Sequence, residues 1–330
     1  MAEFLTFDTD LTAVANAIRA KGGTSAQLIY PSGFVSAIQA IQTGITPKLV
    51  VTTTPGAAIT ATPAEGFKVV KGTAGADGMC TLELPKAGTW HVTAMANSVS
   101  NSQHIVIGTQ NMLLPLYHDT FANNTWEEII TVCRTGIAPD SWAVGDSKTM
   151  NIGGTAYQVD IIGKNHDEYA DGSGTAPLTF QLHDCYSEAK QMYSSNLSGL
   201  GWKNTDMRLT YLPAILALMP AEVQNGIHAV NKKTSEGGNS TTIETVSDTL
   251  FLLSEVEIFG TASASVAGEG SQYDYYKAGN PKIKKREGVD EFWWERSSAS
   301  GGMFCRVRAN GQAGASNASS SLGVSFAFCF

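Results

Sequence analysis

The densest group of oxygen ligands in the chain is Asn165-His166-Asp167-Glu168-Tyr169-Ala170-Asp171-Gly172, where Asp167, Glu168 and Asp171 crowd ahead of a glycine. Such a loop suits a hard cation such as Ca²⁺, which takes several oxygens from one sharply turned segment. The order departs from the EF-hand pattern, and an acidic surface turn accounts for it better, so Asp167, Glu168 and Asp171 stay weak candidates and no metal is assigned. Ser254-Glu255-Val256-Glu257 sets two carboxylates two residues apart. On a strand they would share a face, as the acid pair of a glycosidase must. Arg306 and Arg308 are spaced likewise and suit a carboxylate or phosphate; solvated strand charges explain the spacing equally. The basic run Lys282-Ile283-Lys284-Lys285-Arg286, with Lys277 nearby, reads as a solvated loop. No GxSxG or HExxH string supports a hydrolase. Cys80, Cys133, Cys185, Cys305 and Cys329 are odd in number and never at CxxC spacing, which argues against a disulfide framework or structural zinc.

The elements that must position these residues divide the 330-residue chain into three parts. Residues 1–44 read as two short helices. Asp10 caps Leu11, Val14, Ala15 and Ile18, and Ser32 opens Phe34, Val35, Ile38 and Ile41 before Gly44. Helices this short need a packing partner, so the segment is expected to dock or assemble. Residues 45–108 change to period two: LVVTTT, AAITAT, FKVVKG, CTLELP, TWHVTAM and HIVIG alternate with Gly- and Pro-rich turns, as in a small β-sandwich spacer. His91 and His104 are isolated there and suggest no chemistry. Residues 109–330 open with a capping box, Thr125 and Glu128, ahead of Trp126, Ile129, Ile130 and Cys133 at helical spacing. A helical region from Met207 to Val230 breaks at Pro220, and YQVDIIG, LTFQL, TLFLLS, MFCRVRA and GVSFAFCF read as strands. The fold class is multidomain α+β.

A net charge of −8 argues against a general nucleic-acid partner. No apolar stretch reaches the roughly 18 residues of a membrane helix, and MAEFLTFDTDL lacks the basic and apolar regions of a secretory leader, so cytoplasmic synthesis is expected.

The last forty residues have the most unusual make-up. From Ser297 to Ser321, 18 of 25 positions are Ser, Ala, Gly or Asn, with Phe292, Trp293 and Trp294 on one side and GVSFAFCF on the other. Rigid anchors flanking adaptable small residues are what a displayed binding surface uses, although a flexible Ser/Gly-rich loop has the same composition. Phe292, Trp293, Trp294, Val324, Phe326 and Phe328 are expected in the core. Arg296, Ser298, Ser300, Met303, Arg306, Arg308, Asn310, Gln312, Ser316, Asn317, Ser319 and Ser320 are the candidate contact residues.

Seven ordered motifs, WAVGD (142–146), VDIIGKNHDEYADGSG (159–174), GWKNTDMR (201–208), LFLLSEVEIFG (250–260), GEGSQYDYY (268–276), FWWERS (292–297) and GVSFAFCF (323–330), resemble those of phage and prophage proteins in the formylglycine-generating-enzyme branch of the C-type lectin fold. Asp10–Ile38 resembles a segment at the front of tail-associated phage proteins, and GTAGADGMCTLELPKAGTWHVTA resembles Ig-like, transthyretin-type repeats. The resemblance implies a tail-fibre or receptor-binding protein in the virion, docked to other tail proteins through its N-terminal segment. It further implies a trimer that binds a host cell-surface protein or glycan without membrane insertion. Linked copies raise apparent affinity by about 10²–10⁴.

Relatives of this branch include variable proteins of diversity-generating retroelements. Their variable segment would correspond to about Trp293–Ser321, and Glu295 and Ser298 replace the Leu and Pro of the usual WW-Leu-Arg-Ser-Pro. Other relatives oxidise cysteine with a thiolate-bound copper, and the motif containing Glu255 and Glu257 is scaffold in the family. Here only Cys305 and Cys329 fall on neighbouring strand-like runs, 24 residues apart, without the close spacing of such enzymes. Packed thiols are the expectation, with no cofactor and no enzymatic activity; an oxidase or a purely structural virion protein is the alternative. Neither EPN nor QPD, the calcium-dependent sugar motifs of C-type lectins, occurs.

Overall fold

The computed structural model describes residues 8–22, 47–64, 68–85, 87–107, 110–195, 201–238 and 240–330. The chain forms two compact units, Met1–Leu114 and Pro115–Phe330. The boundary expected after residue 108 falls after Leu114, because Gln110–Leu113 is a strand that pairs in parallel with Lys48–Thr52. Among the described residues no helix is long and apolar enough to cross a membrane.

The first unit carries a helix at Asp8–Gly22. It begins before Asp10, so Asp10 lies in the first turn and does not precede it as a cap. Ala15 and Ile18 are buried while Val14 is 47% exposed, a narrower apolar stripe than the spacing suggests. The second expected helix, around residues 32–41, lies outside the described residues.

Seven strands follow: β1 (Lys48–Thr52), β2 (Ala58–Pro63), β3 (Val70–Thr73), β4 (Met79–Glu83), β5 (Gly88–Ala96), β6 (Val99–Ile107) and β7 (Gln110–Leu113). They form two sheets, β4-β1-β7 and β3-β2-β5-β6. Leu49 and Val51 on β1, and Trp90, Val92 and Ala94 on β5, are buried at every second position, the alternation expected of strands with one covered face. The sheets meet closely at Gly72, where a Cβ would lie 2.5 Å from Cys80 Sγ on the opposite sheet. Asn97 and Ser98 join β5 to β6 with φ of 49° and 68°, the left-handed pair that a two-residue hairpin requires. His91 and His104 stack across that hairpin at 4.5 Å.

The second unit interleaves helices and strands, where the sequence suggested helices early and strands late. Its strands are β8 (Ser147–Ile152), β9 (Thr155–Lys164), β10 (Leu178–Leu182), β11 (Val230–Ser235), β12 (Ile243–Asp248), β13 (Lys284–Arg286), β14 (Val289–Glu291), β15 (Trp293–Ala299), β16 (Met303–Val307), β17 (Ala313–Asn317) and β18 (Ala327–Cys329). A central sheet has the order β18-β10-β9-β8, so the end of the chain returns beside β10. A second sheet has the order β15-β16-β17, and two hairpins pair β11 with β12 and β13 with β14.

The capping box forms as expected: Glu128 N–H donates to Thr125 Oγ1 at 3.1 Å and Thr125 N–H to Glu128 at 2.8 Å, starting the helix Trp126–Cys133. Met207–Tyr211 is wound as a π-helix, Leu212–Leu216 continues as α-helix, and Pro220 separates it from Ala221–Gly226. TLFLLS is not a strand. Leu250, Phe251, Leu252 and Leu253 are all buried in an irregular run. Phe251 bridges Ala327 on β18, while the Leu253 carbonyl accepts from Arg296 N–H at 2.8 Å.

Phe180 on β10 gathers the core, stacking on Phe328 at 5.2 Å with Phe121, Trp126 and Phe330 around it. Trp293, Trp294, Val324, Phe326 and Phe328 are fully buried, and the two indole N–H groups donate to the carbonyls of Lys282 and Lys190. Phe292 departs from expectation. It is 36% exposed, because only the next residue enters the buried strand.

Large-to-small changes of such side chains cost both transfer energy and a cavity. Trp293→Ala or Phe326→Ala should therefore lower the stability of the second unit by about 3–5 kcal/mol, read as a fall in the urea midpoint. Unchanged midpoints in both would show that these rings are not core.

Candidate functional site

The site develops along β15, β16 and β17, and its base is a fully sealed strand. Every residue of β15 from Trp293 to Ala299 is buried. Pairing with β16 joins Trp294 to Arg306 and Ser298 to Phe304, with an irregularity between that leaves Glu295, Arg296 and Ser297 facing Cys305. Bulges of this kind re-aim side chains.

The consequence is largest at Arg296, assigned above to ligand contact. Its guanidinium is fully buried and forks onto Glu257, with Nη2 donating to Oε1 at 2.9 Å and Nη1 to Oε2. The remaining donors reach the carbonyls of Leu252, Lys233 and Glu269 at 2.8–3.2 Å. Glu257 also pairs with Lys232 at 2.7 Å, and Lys232 donates to Asp167 at 2.6 Å and Tyr273 Oη at 3.0 Å. Tyr273 and Thr179 in turn donate to Asp167 Oδ2 at 2.8 and 2.6 Å. Two carboxylates and two cations thus neutralise one another with their hydrogen bonds filled, the condition under which buried charge is tolerated. Burial alone would raise Asp167, but the Lys232 charge, the hydrogen bonds from Lys232 and Thr179 and the nearby His166 together outweigh it and hold the carboxyl at about 2. At Glu257 burial is likewise outweighed, by Arg296 and then Lys232, and the carboxyl stays below its ordinary value.

Asp167 is therefore inward and occupied, whereas Asp171 is exposed and accepts from Ser173 N–H at 2.9 Å. Glu168 is exposed beside a cleft of about 480 Å³ whose floor is Asp167, Lys232 and Glu257. Among the described residues no group of three or more His, Cys, Asp or Glu is arranged to hold a metal.

Glu255 and Glu257 sit at a helix start and not on a strand. Ser254 caps Glu255–Phe259 through a second capping box, with reciprocal bonds of 3.0 and 3.1 Å to Glu257. The pattern Ser-x-x-Glu was present in the sequence but obscured by the apolar residues around it. Glu255 turns the other way and accepts from the N–H groups of Ser263, Ala264 and Ser265 at 2.9–3.0 Å, pinning that loop. Despite burial, the Ser263 and Ser265 hydroxyls, which also donate to it, and then these N–H groups keep its carboxyl below the ordinary value.

Glu295 is the exception. Both of its carboxyl oxygens, and Ser298 Oγ, are buried without a hydrogen-bond partner among the described residues. Burial, followed by the charges of Glu255 and Glu269, pushes Glu295 well above the ordinary carboxylate range. Inside the fold its surroundings favour the neutral form. Ser298 is thus the second predicted contact residue that lies inside, 3% exposed.

The other ten predicted contact residues lie at or near the surface. Ser300, Arg308, Asn310, Gln312 and Asn317 are exposed, and Met303, Arg306, Ser316, Ser319 and Ser320 are half-buried. Register brings Met303 opposite Asn317 and Phe304 opposite Ser316. Gly301 and Gly302, with φ of 69° and 77°, turn the chain between β15 and β16. A tight turn at 308–312, closed by Arg308 N–H to the Gln312 carbonyl at 2.7 Å, joins β16 to β17. Ser319 and Ser320 are less displayed than their composition implies, because Ala318 is buried and its carbonyl accepts from Met192 and Tyr193.

The five cysteines are free and buried. Cys305 Sγ lies 3.9 Å from Glu255, while Cys329 Sγ lies 3.5 Å from Thr179 Oγ1 and 3.7 Å from Asp167. Burial and neighbouring carboxylates push both thiols up, away from the thiolate that copper ligation requires.

Residues 179–330, from within β10 to the end of the chain, match the model of a domain family of unknown function, DUF6273. Comparison with curated proteins and with solved structures finds no match to the chain.

A raised Glu295 has a defined sign in stability. The folded state keeps a proton that the unfolded chain releases above about pH 4.5. The stabilisation is complete below that pH and is lost as pH rises toward the folded value. Glu295→Gln should flatten the decline in melting temperature of the second unit as pH rises above the ordinary carboxylate range, where Gln needs no proton to stay neutral. Parallel wild-type and variant curves would contradict a buried neutral acid.

Proposed function

We propose that the chain is a tail-associated adhesin of a phage or prophage. Its C-terminal unit, of the C-type lectin type, binds a host cell-surface protein or glycan. The first unit serves as an Ig-like spacer with an N-terminal segment that docks to other tail proteins, and copies assemble as a trimer. The ordered motifs between Trp142 and Phe330 support the assignment of class.

One observation supports the binding role above the others. Within the small-residue stretch, burial and exposure are segregated along the chain: β15 is sealed, whereas the turn at 300–302 and the hairpin from 303 to 317 carry the outward positions. The outward side chains of the hairpin, unlike its buried Phe304, Cys305 and Val307, can change without disturbing the strand that supports it. This moves the start of the tolerant segment from Trp293 to Ser300, because a change at 293–299 enters the core. A retroelement-diversified surface would be confined to 300–321. The thiol positions favour this reading over the oxidase, since Cys305 and Cys329 are turned toward different carboxylates.

Exposed substitutions usually change stability by less than about 0.5 kcal/mol. A full-length N310Y/Q312Y/N317Y variant should change binding to host cells about tenfold or more, equivalent to about 1.4 kcal/mol. Its melting temperature should stay within about 4 °C of wild type. Binding that is unaltered, measured by flow cytometry on labelled chain, would remove the hairpin from the contact surface. A large fall in melting temperature would show that the hairpin is not a tolerant display element.

A further inference from the structure

The hairpin carries two arginines that form no ion pair among the described residues. Arg208, Arg286 and Arg296 are each ion-paired, to Asp248, Glu291 and Glu257. Arg306 and Arg308 have no carboxylate within ion-pair distance among the described residues, in a chain whose net charge is −8. Two like charges left together without a counter-charge are unfavourable, and more so where water is partly excluded. Arg306 is only half-exposed.

The pair is also held in place. The Arg306 guanidinium lies over the Phe292 ring, 4.1 Å from its centroid, and its Nε donates to the Ala315 carbonyl at 3.1 Å. Stacking and that bond fix the plane of the fork, and its Nη edge forms no hydrogen bond within the described residues. Arg308 lies alongside Gly314, where a Cβ would approach its Nε to 2.8 Å. Gly314 is the register partner of Arg306, so both guanidinium groups lie against the same stretch of β17. Residues two apart on an extended chain are roughly 6.6 Å apart, within reach of a single ligand group. Asn310 and Gln312, bonded to each other at 3.2 Å, lie on the same exposed turn and offer neutral amides. The exposure of Phe292, unexpected from its sequence neighbours, is explained if it serves as the platform for Arg306.

We propose that Arg306 and Arg308 form an oxyanion subsite for a carboxylate or phosphodiester on a cell-surface polymer, with Phe292 holding Arg306 in its binding orientation. The inference rests on the adhesin reading and names the chemistry its hairpin recognises. A planar guanidinium engages either group through paired N–H donors, and an exposed pair of charges makes binding strongly salt-dependent.

The test uses the full chain and three immobilised polymers: polygalacturonate for carboxylate, poly(glycerol phosphate) for phosphodiester and dextran as the neutral reference. At about 50 mM salt, where screening is weak, wild type should bind at least one acidic polymer about tenfold more tightly than dextran. The polymer preferred identifies the source of the oxyanion. R306Q/R308Q should lose that preference at unchanged melting temperature, R134Q, at the exposed residue that follows the helix Trp126–Cys133, should keep it, and the single R306Q and R308Q variants serve should the double variant unfold. Phe292→Ala should weaken binding less than loss of either arginine. Equal binding to all three polymers by wild type, or undiminished preference in the arginine variants, overturns the subsite. If N310Y/Q312Y/N317Y still changes cell binding in that case, the oxyanion subsite fails while the adhesin reading stands; if it does not, both fail.

Discussion

The guanidinium of Arg296, forked onto Glu257 and held by three main-chain carbonyls, is the interaction on which the second unit is organised. It ties the strand Trp293–Ala299 to the helix that Ser254 caps, to the Lys233 carbonyl on β11 and to the Glu269 segment. Through Glu257 and Lys232 the same network reaches Asp167 after β9 and Thr179 on β10. Breaking one member of a buried pair costs about 3–5 kcal/mol, whereas replacing the whole set by apolar groups is often neutral. Its value therefore lies in defining one arrangement: a slipped register of β15 would leave Arg296 buried without its carboxylate and Glu257 without its second cation.

That constraint lets the adjacent hairpin be permissive. β16 shares its buried side chains, Phe304, Cys305 and Val307, with the core, whereas β17 is built almost entirely of Ala, Gly and Ser and buries little. The gradient from sealed strand to half-exposed edge separates the residues that hold the fold from those open to solvent. The unpartnered Glu295 carries the opposite message. It sits at the bulge with no compensating cation, an unfavourable choice that the surrounding network absorbs.

Local features were legible in the sequence and long-range ones were not. Thr125-x-x-Glu128 announced its helix because an amphipathic run followed. Ser254-x-x-Glu257 is the same device, yet its flanks, LFLL and IFG, mask the period, and two alternating carboxylates resemble a strand. The burial of Trp293, Trp294 and Phe326 followed from their types. The fate of Arg296 did not, since its partner is 39 residues away and its orientation depends on a bulge. Lys232 and Asp167, 65 residues apart, gave no sequence signal either. A short polar segment around Arg296 and Ser298 looks like a surface until the network that receives it is known.

Native-state hydrogen exchange across the second unit tests the central claim, that a locked strand supports a permissive hairpin. The amides of Trp294 and Arg296, bonded to the carbonyls of Gly323 and Leu253, should exchange only through global unfolding, while those of the 309–312 turn exchange orders of magnitude faster. Equal, rapid exchange of Trp294, Arg296 and the turn would contradict it.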